Sequence, residues 1–554
     1  MKYVSFISGL LVCFISLQFS YAQKIEPKIS LDDIFRDYTF YPRGIQNLRS
    51  MNDGKHFTTL ERARMIQKYE IKTGKYKGAI LDLVNFPNAP LKSIEAYEFS
   101  ADESKLLLTT NKSGIYRHSY TADYYIYDLR SEKFQPVSDN GKQQIATFSP
   151  DGNKIAFVRE NNIFITELEN FTEQQITFDG EKNKIINGIP DWVYEEEFGF
   201  SKAFHWSPDS KKIAFYRFDE ERVKLFNMTL YEGLYPNWYK FKYPKAGEDN
   251  AIVSIHVYHL EEDETNRIDI GNETDQYIPR IEWTKDPQVL SIIRLNRLQN
   301  HVEILHANIL SGKSEVIYEE KEDKYVSEAT DDMVTYLDNG EEFLLISERD
   351  GWKHIWLYNF VSRELDLITE GEYDINEFLG LDENNRTVYY SSFERSSIHN
   401  DIYSIKLNKR KKKILTEREG WNEAIFVGNF SYFIHTWSNA NTPDIISLRD
   451  NKGNMIRTIE DNSGLKDRMK KHHFNKVSFF NFETSQNVRL NGYMIKPGDF
   501  SPNKKYPVFM FVYGGPESQQ VKDEFNAYRG PWFQMLSQLG YIVVCVDNRG
   551  TNGR

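Results

Sequence analysis

The fold is decided by two stretches of nearly the same sequence, Phe148-Ser-Pro-Asp-Gly-Asn-Lys-Ile-Ala-Phe157 and Trp206-Ser-Pro-Asp-Ser-Lys-Lys-Ile-Ala-Phe215. In each stretch an aromatic residue precedes a turn, and an apolar strand follows it. Asp supports such a turn by hydrogen bonding to its own backbone, and Gly tolerates positive φ. The β-branched and aromatic residues that follow suit a pleated, half-buried strand. The pair therefore predicts a repeating β unit.

Six weaker copies of the unit occur elsewhere in the chain and begin at Ser50, Phe99, Trp283, Leu337, Leu381 and Phe426. The eight starting points lie mostly 44 to 58 residues apart, with one gap of 77 between Trp206 and Trp283. Four short strands with their turns need about 40–50 residues, which is the size of a propeller blade. The spacing predicts an all-β, eight-bladed β-propeller over residues 47–470, with an insertion in the fourth unit.

The pattern changes after residue 470. Residues 466–476 are polar and basic, which is typical of a linker, and three strands are predicted at 477–482, 488–495 and 508–513. A helix is predicted at 525–539 and a fully buried strand at 542–546. A strand, a helix and an apolar strand in succession indicate the start of an α/β sheet and not another blade. We therefore assign residues 471–554 to the beginning of a second domain.

The chain is acidic, with a formal net charge of -12. Nucleic-acid binding depends on Lys and Arg neutralising phosphates, so no nucleic-acid partner is expected. The basic run at 409–413 is interpreted as a solvated hairpin face. The sequence contains neither a cluster with metal-ligand spacing nor a phosphate-binding glycine loop. No cofactor or metal is predicted.

The first 22 residues read as a signal peptide. Met1-Lys2 precedes an apolar stretch from Val4 to Phe19, and Ser20-Tyr-Ala22 ends in small residues suited to cleavage. The prediction is a secreted or periplasmic protein, with an uncleaved membrane anchor as the alternative. Cleavage would remove Cys13 and leave Cys545 as the one cysteine, so no internal disulfide is expected.

Three segments resemble the dipeptidyl peptidase IV family of the prolyl oligopeptidase clan, in the family's order. They are Tyr116-Arg-His-Ser-Tyr-Thr-Ala-Asp-Tyr-Tyr-Ile-Tyr-Asp128, Asp191-Trp-Val-Tyr-Glu-Glu-Glu-Phe198 and Val512-Tyr-Gly-Gly-Pro-Glu-Ser-Gln519. The resemblance implies an eight-bladed propeller followed by an α/β-hydrolase domain, with residues 23–46 packing near the hydrolase. It also implies a serine exopeptidase that releases Xaa-Pro or Xaa-Ala dipeptides from peptides with a free N-terminus, and a homodimer.

The same resemblance assigns roles to four residues. Three successive carboxylates at 195–197 repel one another and need a cation or donor to offset the cost. A solvated acidic turn is the alternative reading of the triplet. By resemblance, Glu196 and Glu197 hold the substrate's ammonium group, and Arg117 orients them while binding the carbonyl of the second residue. Tyr513, by resemblance, donates to the oxyanion of the tetrahedral intermediate.

The residues that would cut the peptide bond are missing from the sequence. Hydrolases of this fold carry the nucleophile in a Gly-x-Ser-x-Gly elbow, followed by Asp and His. The 554 residues contain no such elbow, and no histidine follows His473. The chain is therefore expected to be inactive alone and is interpreted as a truncated piece of an active peptidase. A prolyl tripeptidyl peptidase fragment and a non-catalytic module that binds peptide N-termini are the alternatives.

Overall fold

The computed structural model describes residues 28–45, 47–326 and 333–553. The predicted signal peptide at 1–22 lies outside these residues, as does part of the predicted N-terminal segment at 23–46. Among the described residues, no helix combines the length and the apolar character needed to cross a bilayer.

Eight antiparallel sheets follow one another along the described chain. The strands of the first three sheets are β1 (Arg49–Ser50), β2 (His56–Glu61), β3 (Met65–Glu70) and β4 (Tyr76–Asp82); β5 (Ala96–Phe99), β6 (Lys105–Gly114), β7 (Tyr120–Asp128) and β8 (Lys133–Pro136); β9 (Gln144–Phe148), β10 (Lys154–Arg159), β11 (Asn162–Glu167) and β12 (Thr172–Gln175). Each of these sheets has its strands in sequence order.

The fourth sheet has five strands and carries an insertion. The elements of this region are β13 (Ile185–Asn187), β14 (Phe204–Trp206), β15 (Lys212–Asp219), β16 (Leu225–Leu230), β17 (Asn237–Lys242), β18 (Ile252–His259) and β19 (Glu264–Ile268). Strands β16 and β17 pair only with each other and form a separate hairpin. This hairpin accounts for part of the long gap between the fourth and fifth repeats.

The next four sheets again have four strands each in sequence order. Their strands are β20 (Gln276–Trp283), β21 (Val289–Asn296), β22 (His301–Asn308) and β23 (Ser314–Lys321); β24 (Val334–Tyr336), β25 (Glu342–Ser347), β26 (His354–Asn359) and β27 (Glu364–Leu367); β28 (Ile375–Asp382), β29 (Thr387–Ser392), β30 (Asp401–Lys406) and β31 (Lys411–Ile414); β32 (Trp421–Val427), β33 (Tyr432–Asn439), β34 (Thr442–Asp450) and β35 (Met455–Glu460).

The repeated turns occupy the same place in every sheet. The Ser-Pro-Asp-Gly turn joins β9 to β10, where the Ser149 hydroxyl donates to Asp151 Oδ1 at 2.5 Å and Gly152 adopts φ +70°. The related turn before Lys212 joins β14 to β15 in the same way. The six weaker copies likewise lie between the two strands that begin each remaining sheet. One local signal thus marks the start of each unit.

Consecutive sheets pack against each other, and the last packs against the first. Ile71, directly after β3 of the first sheet, lies in one apolar cluster with Val427 and Ile434 of the eighth. The backbone N–H of Gly428 also donates to the Ser50 hydroxyl at 3.0 Å. Sheets that close into a ring in this way are typical of a β-propeller.

A ninth, mixed sheet follows the ring. Its strands are β36 (Val477–Glu483), β37 (Arg489–Ile495), β38 (Val508–Phe511) and β39 (Ile542–Val546), in the order β36-β37-β39-β38 with β38 and β39 parallel. The helices are α1 (Leu31–Phe35), α2 (Trp192–Glu197), α3 (Ser463–Lys471) and α4 (Gly530–Gln538), with short 3₁₀ turns at Leu83–Asn85 and Glu383–Asn385.

Two predictions in this region were wrong in detail. The supposed linker contains α3, because Leu465 and Met469 are one turn apart and bury together against Ile34 and Phe40 of the N-terminal segment. The helix predicted from 525 begins only at Gly530. Pro occupies its first turn, where a missing N–H costs no helical hydrogen bond.

Candidate functional site

Helix α2 carries the glutamate triplet and is fixed at its start and its middle. Asp191 caps the helix, since its Oδ1 accepts the Tyr194 N–H at 2.9 Å. Complete burial raises the pKa of Asp191 to about 6. The Tyr194 ring is fully buried in the largest apolar cluster, and its hydroxyl accepts the Ile278 N–H at 2.9 Å. The helix is therefore held rigidly between the fourth and fifth sheets.

Glu195 faces inward from this helix and fastens a second element to it. Its Oε1 accepts the backbone N–H groups of His118 and Ser119 at 2.7 and 2.9 Å. These residues belong to the loop between β6 and β7, which also carries Arg117. A buried carboxylate with two N–H donors is a stable arrangement. Glu195 thus positions the Arg117 loop against α2, a role that the sequence analysis missed.

Arg117 and Glu196 form a two-point ion pair at the surface of the site. Arg117 Nε donates to Glu196 Oε2 at 3.0 Å, and its Nη2 donates to Oε1 at 2.5 Å. The hydrogen bond from Arg117 lowers the pKa of Glu196, and the same bond raises the pKa of Arg117. Because the pair is exposed, its main effect is geometric: it sets the direction of both side chains.

Glu197 is exposed, and its carboxylate has no hydrogen bond or ion pair with the described residues. It lines a cavity of ≈ 320 Å³ together with Trp192 and Tyr243. Adjacent helical residues point in different directions. This explains why the three glutamates have three different surroundings: one buried, one paired with arginine and one open.

Tyr513 reaches the same site from the ninth sheet. It follows β38, precedes Gly514 at φ +75°, and is 64% exposed. Its hydroxyl lies close enough to Arg117 to add to the rise in the pKa of that group, after the larger effect of Glu196. The structure therefore brings Arg117 and Glu196 into direct contact, with Glu197 next to Glu196 on the same helix and Tyr513 within electrostatic range of Arg117.

The buried His435 of β33 has a structural role. His435 Nδ1 accepts from Arg449 Nε at 3.0 Å, and its Nε2 lies 2.8 Å from Asn422 Oδ1. Burial lowers the pKa of His435 to about 3, and likewise that of His205 to about 3. Neutral imidazoles used in this way serve packing and hydrogen bonding.

The closed ring of antiparallel sheets and the exposed carboxylate–guanidinium site define a β-propeller protein with an anionic site. Residues 100–444 match the family described as the dipeptidyl peptidase IV (DPP IV) N-terminal region, and the chain belongs to this family.

The relatives agree with that assignment. Dipeptidyl peptidase 4 of Trichophyton rubrum is 30% identical over 91% of this chain and 66% of its own length. The Trichophyton equinum protein of the same name is 31% identical over 82% of this chain and 61% of its own. The chain thus spans less than two thirds of these curated relatives. The crystal structure of Porphyromonas gingivalis dipeptidyl peptidase 4 superposes with a TM-score of 0.90 at 39% identity, covering 95% of this chain and 74% of that one.

Proposed function

We propose that this chain is the substrate-recognition part of a dipeptidyl peptidase and binds peptides by their free N-terminus. The observation that carries the proposal is the Arg117–Glu196 pair beside the unpartnered Glu197 carboxylate. An ammonium group offers three donors and a carboxylate several acceptor positions, so two neighbouring carboxylates can hold one peptide N-terminus. An internal stretch of peptide has no ammonium group, so such a clamp selects chain ends.

The remaining groups fit the first steps of peptide-bond cleavage. The Arg117 Nη1 atom has no hydrogen-bond partner among the described residues and can donate to the carbonyl of the substrate's second residue. The exposed hydroxyl of Tyr513, after β38 of the ninth sheet, can donate to the oxyanion that forms during cleavage. One such donor typically increases the rate about 10²–10³-fold. Pro or Ala at the second position is the proposed substrate preference.

The nine sheets can also be assigned to domains. We infer that each of the eight antiparallel sheets is one propeller blade and that the mixed sheet is the start of an α/β-hydrolase domain, as its β36-β37-β39-β38 order and parallel β38–β39 pair support. Hydrolysis needs a nucleophile and a base, and the 554 residues contain no Gly-x-Ser-x-Gly elbow. We therefore assign recognition, and not bond cleavage, to the residues described.

Calorimetric titration with a synthetic Ala-Pro peptide tests the proposal. We expect the free peptide to bind and the same peptide with an acetylated N-terminus to bind at least about tenfold more weakly, because acetylation removes a charged donor. Equal affinity for the two peptides would refute the clamp. An Ala-Ala-Pro peptide that binds better than the Ala-Pro peptide would favour the tripeptidyl alternative.

We propose in addition that the β16–β17 hairpin joins two copies of the chain. Tyr231, Leu234 and Tyr235 at its tip are 83%, 99% and 85% exposed. A two-stranded hairpin is marginally stable alone, and exposed apolar patches mark interaction sites. Both outer edges of the hairpin lack a strand partner among the described residues, so a second copy can cover them.

Replacing Leu234 and Trp238 by Asp should convert the dimer to a monomer, since a charge placed in an apolar interface cannot be buried without a partner. Light scattering coupled to size-exclusion chromatography measures the mass. The matched control is Leu310→Asp, which changes an equally apolar side chain, 68% exposed, far from the hairpin in sequence. A wild-type chain that elutes as a monomer at all concentrations would contradict the proposal.

We also propose that residues 1–22 direct export and are removed. Edman sequencing of the protein expressed with these residues should begin at Gln23. A mature protein that begins at Met1 would support the anchor alternative.

A further inference from the structure

A second, larger cavity lies beside the loop that carries Arg117. It has a volume of ≈ 590 Å³ and is bounded by this loop, by α2 and by the β16–β17 hairpin. None of the four predicted site residues lines it. It therefore adjoins the proposed clamp through Trp192, which lines both cavities, but does not include the clamp residues.

Part of the wall of this cavity is aromatic. Tyr116 of the loop packs against Phe241 of the hairpin with ring centroids 5.7 Å apart, and Tyr239 lies 5.4 Å from Phe241. Trp192 closes the side formed by α2. Aromatic faces attract cations through their quadrupole, and they also bury alkyl groups.

One buried carboxylate faces the cavity without a partner. Glu220 is 6% exposed, lines the cavity, and makes no side-chain hydrogen bond or ion pair with the described residues. The nearby ammonium of Lys242 is engaged elsewhere, since it donates to the backbone carbonyls of Glu221 and Val223 at 3.1 and 2.6 Å. Of the other acids in the lining, Asp191 and Glu195 accept backbone N–H groups, whereas Glu160 and Glu181 are exposed. Glu220 is therefore the buried acid of the lining whose side chain has no partner among the described residues, whereas buried polar groups are usually hydrogen-bonded.

We propose that this cavity binds a small primary ammonium compound, whose nitrogen pairs with Glu220 and whose alkyl part contacts Tyr116, Tyr239 and Phe241. No three of the described carboxylates that line this cavity lie close enough together to share a metal ion. Among the described residues, the one group of carboxylates and histidines close enough to share an ion is His301, Glu303 and Glu319 on the fifth sheet.

The charges around Glu220 make the binding pH-dependent. Burial and the neighbouring Asp191 raise the pKa of Glu220 to about 8. The titratable or charged groups that line the cavity with it or contribute to its pKa are Tyr116, Glu160, Glu181, Lys182, Asp191, Glu195, Asp219, Tyr239 and Lys242. At neutral pH the empty site holds a proton on Glu220, so ligand binding releases it. Affinity for a cation that stays charged should rise as the pH is raised from about 6 to about 9.

Titration with n-butylammonium, followed by calorimetry, tests the proposal. The chain that carries E196Q and E197Q serves as the host, so that binding at the clamp is removed from the signal. We expect millimolar or tighter binding that strengthens with pH, and no binding of n-butanol, which has the same alkyl chain without the charge. Adding E220Q should weaken binding by about tenfold or more, because a charge-assisted hydrogen bond is lost. The control is E221Q in the same host, at the exposed glutamate next to Glu220, and it should leave the affinity for n-butylammonium unchanged.

Two results would overturn the proposal: no binding of n-butylammonium at millimolar concentration, or equal binding with and without E220Q. If the E220Q chain does not fold, as judged by circular dichroism, Tyr239→Leu replaces it. This variant removes an aromatic wall on the hairpin and should also weaken binding, and unchanged affinity there would equally refute the site.

Discussion

Replacing Glu196 and Glu197 together by Gln should abolish measurable binding of a free Ala-Pro peptide. Each Gln keeps the size of the side chain but removes a negative charge, and one charge-assisted hydrogen bond is worth about 10- to 100-fold in affinity. Glu197→Gln alone should give a loss of about that size without affecting stability, because the carboxylate has no partner in the free protein. Calorimetry measures the affinity, and thermal unfolding checks the fold.

Glu196→Gln has a second consequence. It removes the carboxylate that accepts two hydrogen bonds from Arg117, at 2.5 and 3.0 Å, and so orients that side chain. Arg117 should then hold the peptide carbonyl less well, in addition to the lost charge pairing with the peptide's ammonium group. The matched control is Glu262→Gln, at an exposed glutamate of the fourth sheet's last turn, which should bind as the wild type does. Unchanged affinity in the double variant would remove the basis of the proposed function.

The second large effect concerns stability. Tyr194→Ala should lower the free energy of unfolding by about 3–5 kcal/mol, because a fully buried aromatic side chain is lost from the largest apolar cluster. Tyr194→Phe should cost about 1–3 kcal/mol, since the buried N–H of Ile278 loses its acceptor. Urea unfolding monitored by tryptophan fluorescence measures both values.

The peptide affinity of the Tyr194 variants adds a test of how the site is built. Because Tyr194 anchors α2, the alanine variant should also bind the Ala-Pro peptide more weakly, although the Tyr194 side chain is buried. Tyr325→Ala, at a tyrosine that is 73% exposed and lies outside the hairpin, is the control and should leave stability unchanged. A Tyr194→Ala chain as stable as that control would show that burial of the Tyr194 ring does not stabilise the fold.

Local sequence signals were sufficient for the repeated sheets and insufficient for long-range packing. The turn motif depends on neighbouring residues, as in Ser149 and Asp151, so its eight copies could be read directly. Helix α3 could not, because its buried face is completed by Ile34 and Phe40, more than four hundred residues earlier. The polar composition of residues 466–476 suggested a linker, but burial of Leu465 and Met469 is enough to hold a helix there.

In the candidate site, too, sequence patterns revealed some residues, and contacts between distant parts of the chain revealed others. Resemblance gave Arg117, Glu196, Glu197 and Tyr513, and the structure brings the first two into direct contact. The role of Glu195 depends on backbone N–H groups 76 and 77 positions away, which no local pattern reveals. The run from Asp191 to Tyr194 did carry a usable signal, because Asp before an aromatic helix is a typical N-cap.

A crystal structure of this chain with a bound Ala-Pro peptide tests the central claim most directly. We expect the peptide's ammonium nitrogen to lie within about 3.2 Å of carboxylate oxygens of both Glu196 and Glu197, with a peptide carbonyl accepting from Arg117. A peptide whose N-terminus lies in solvent, or next to Glu220 with Glu197 still unpaired, would contradict it.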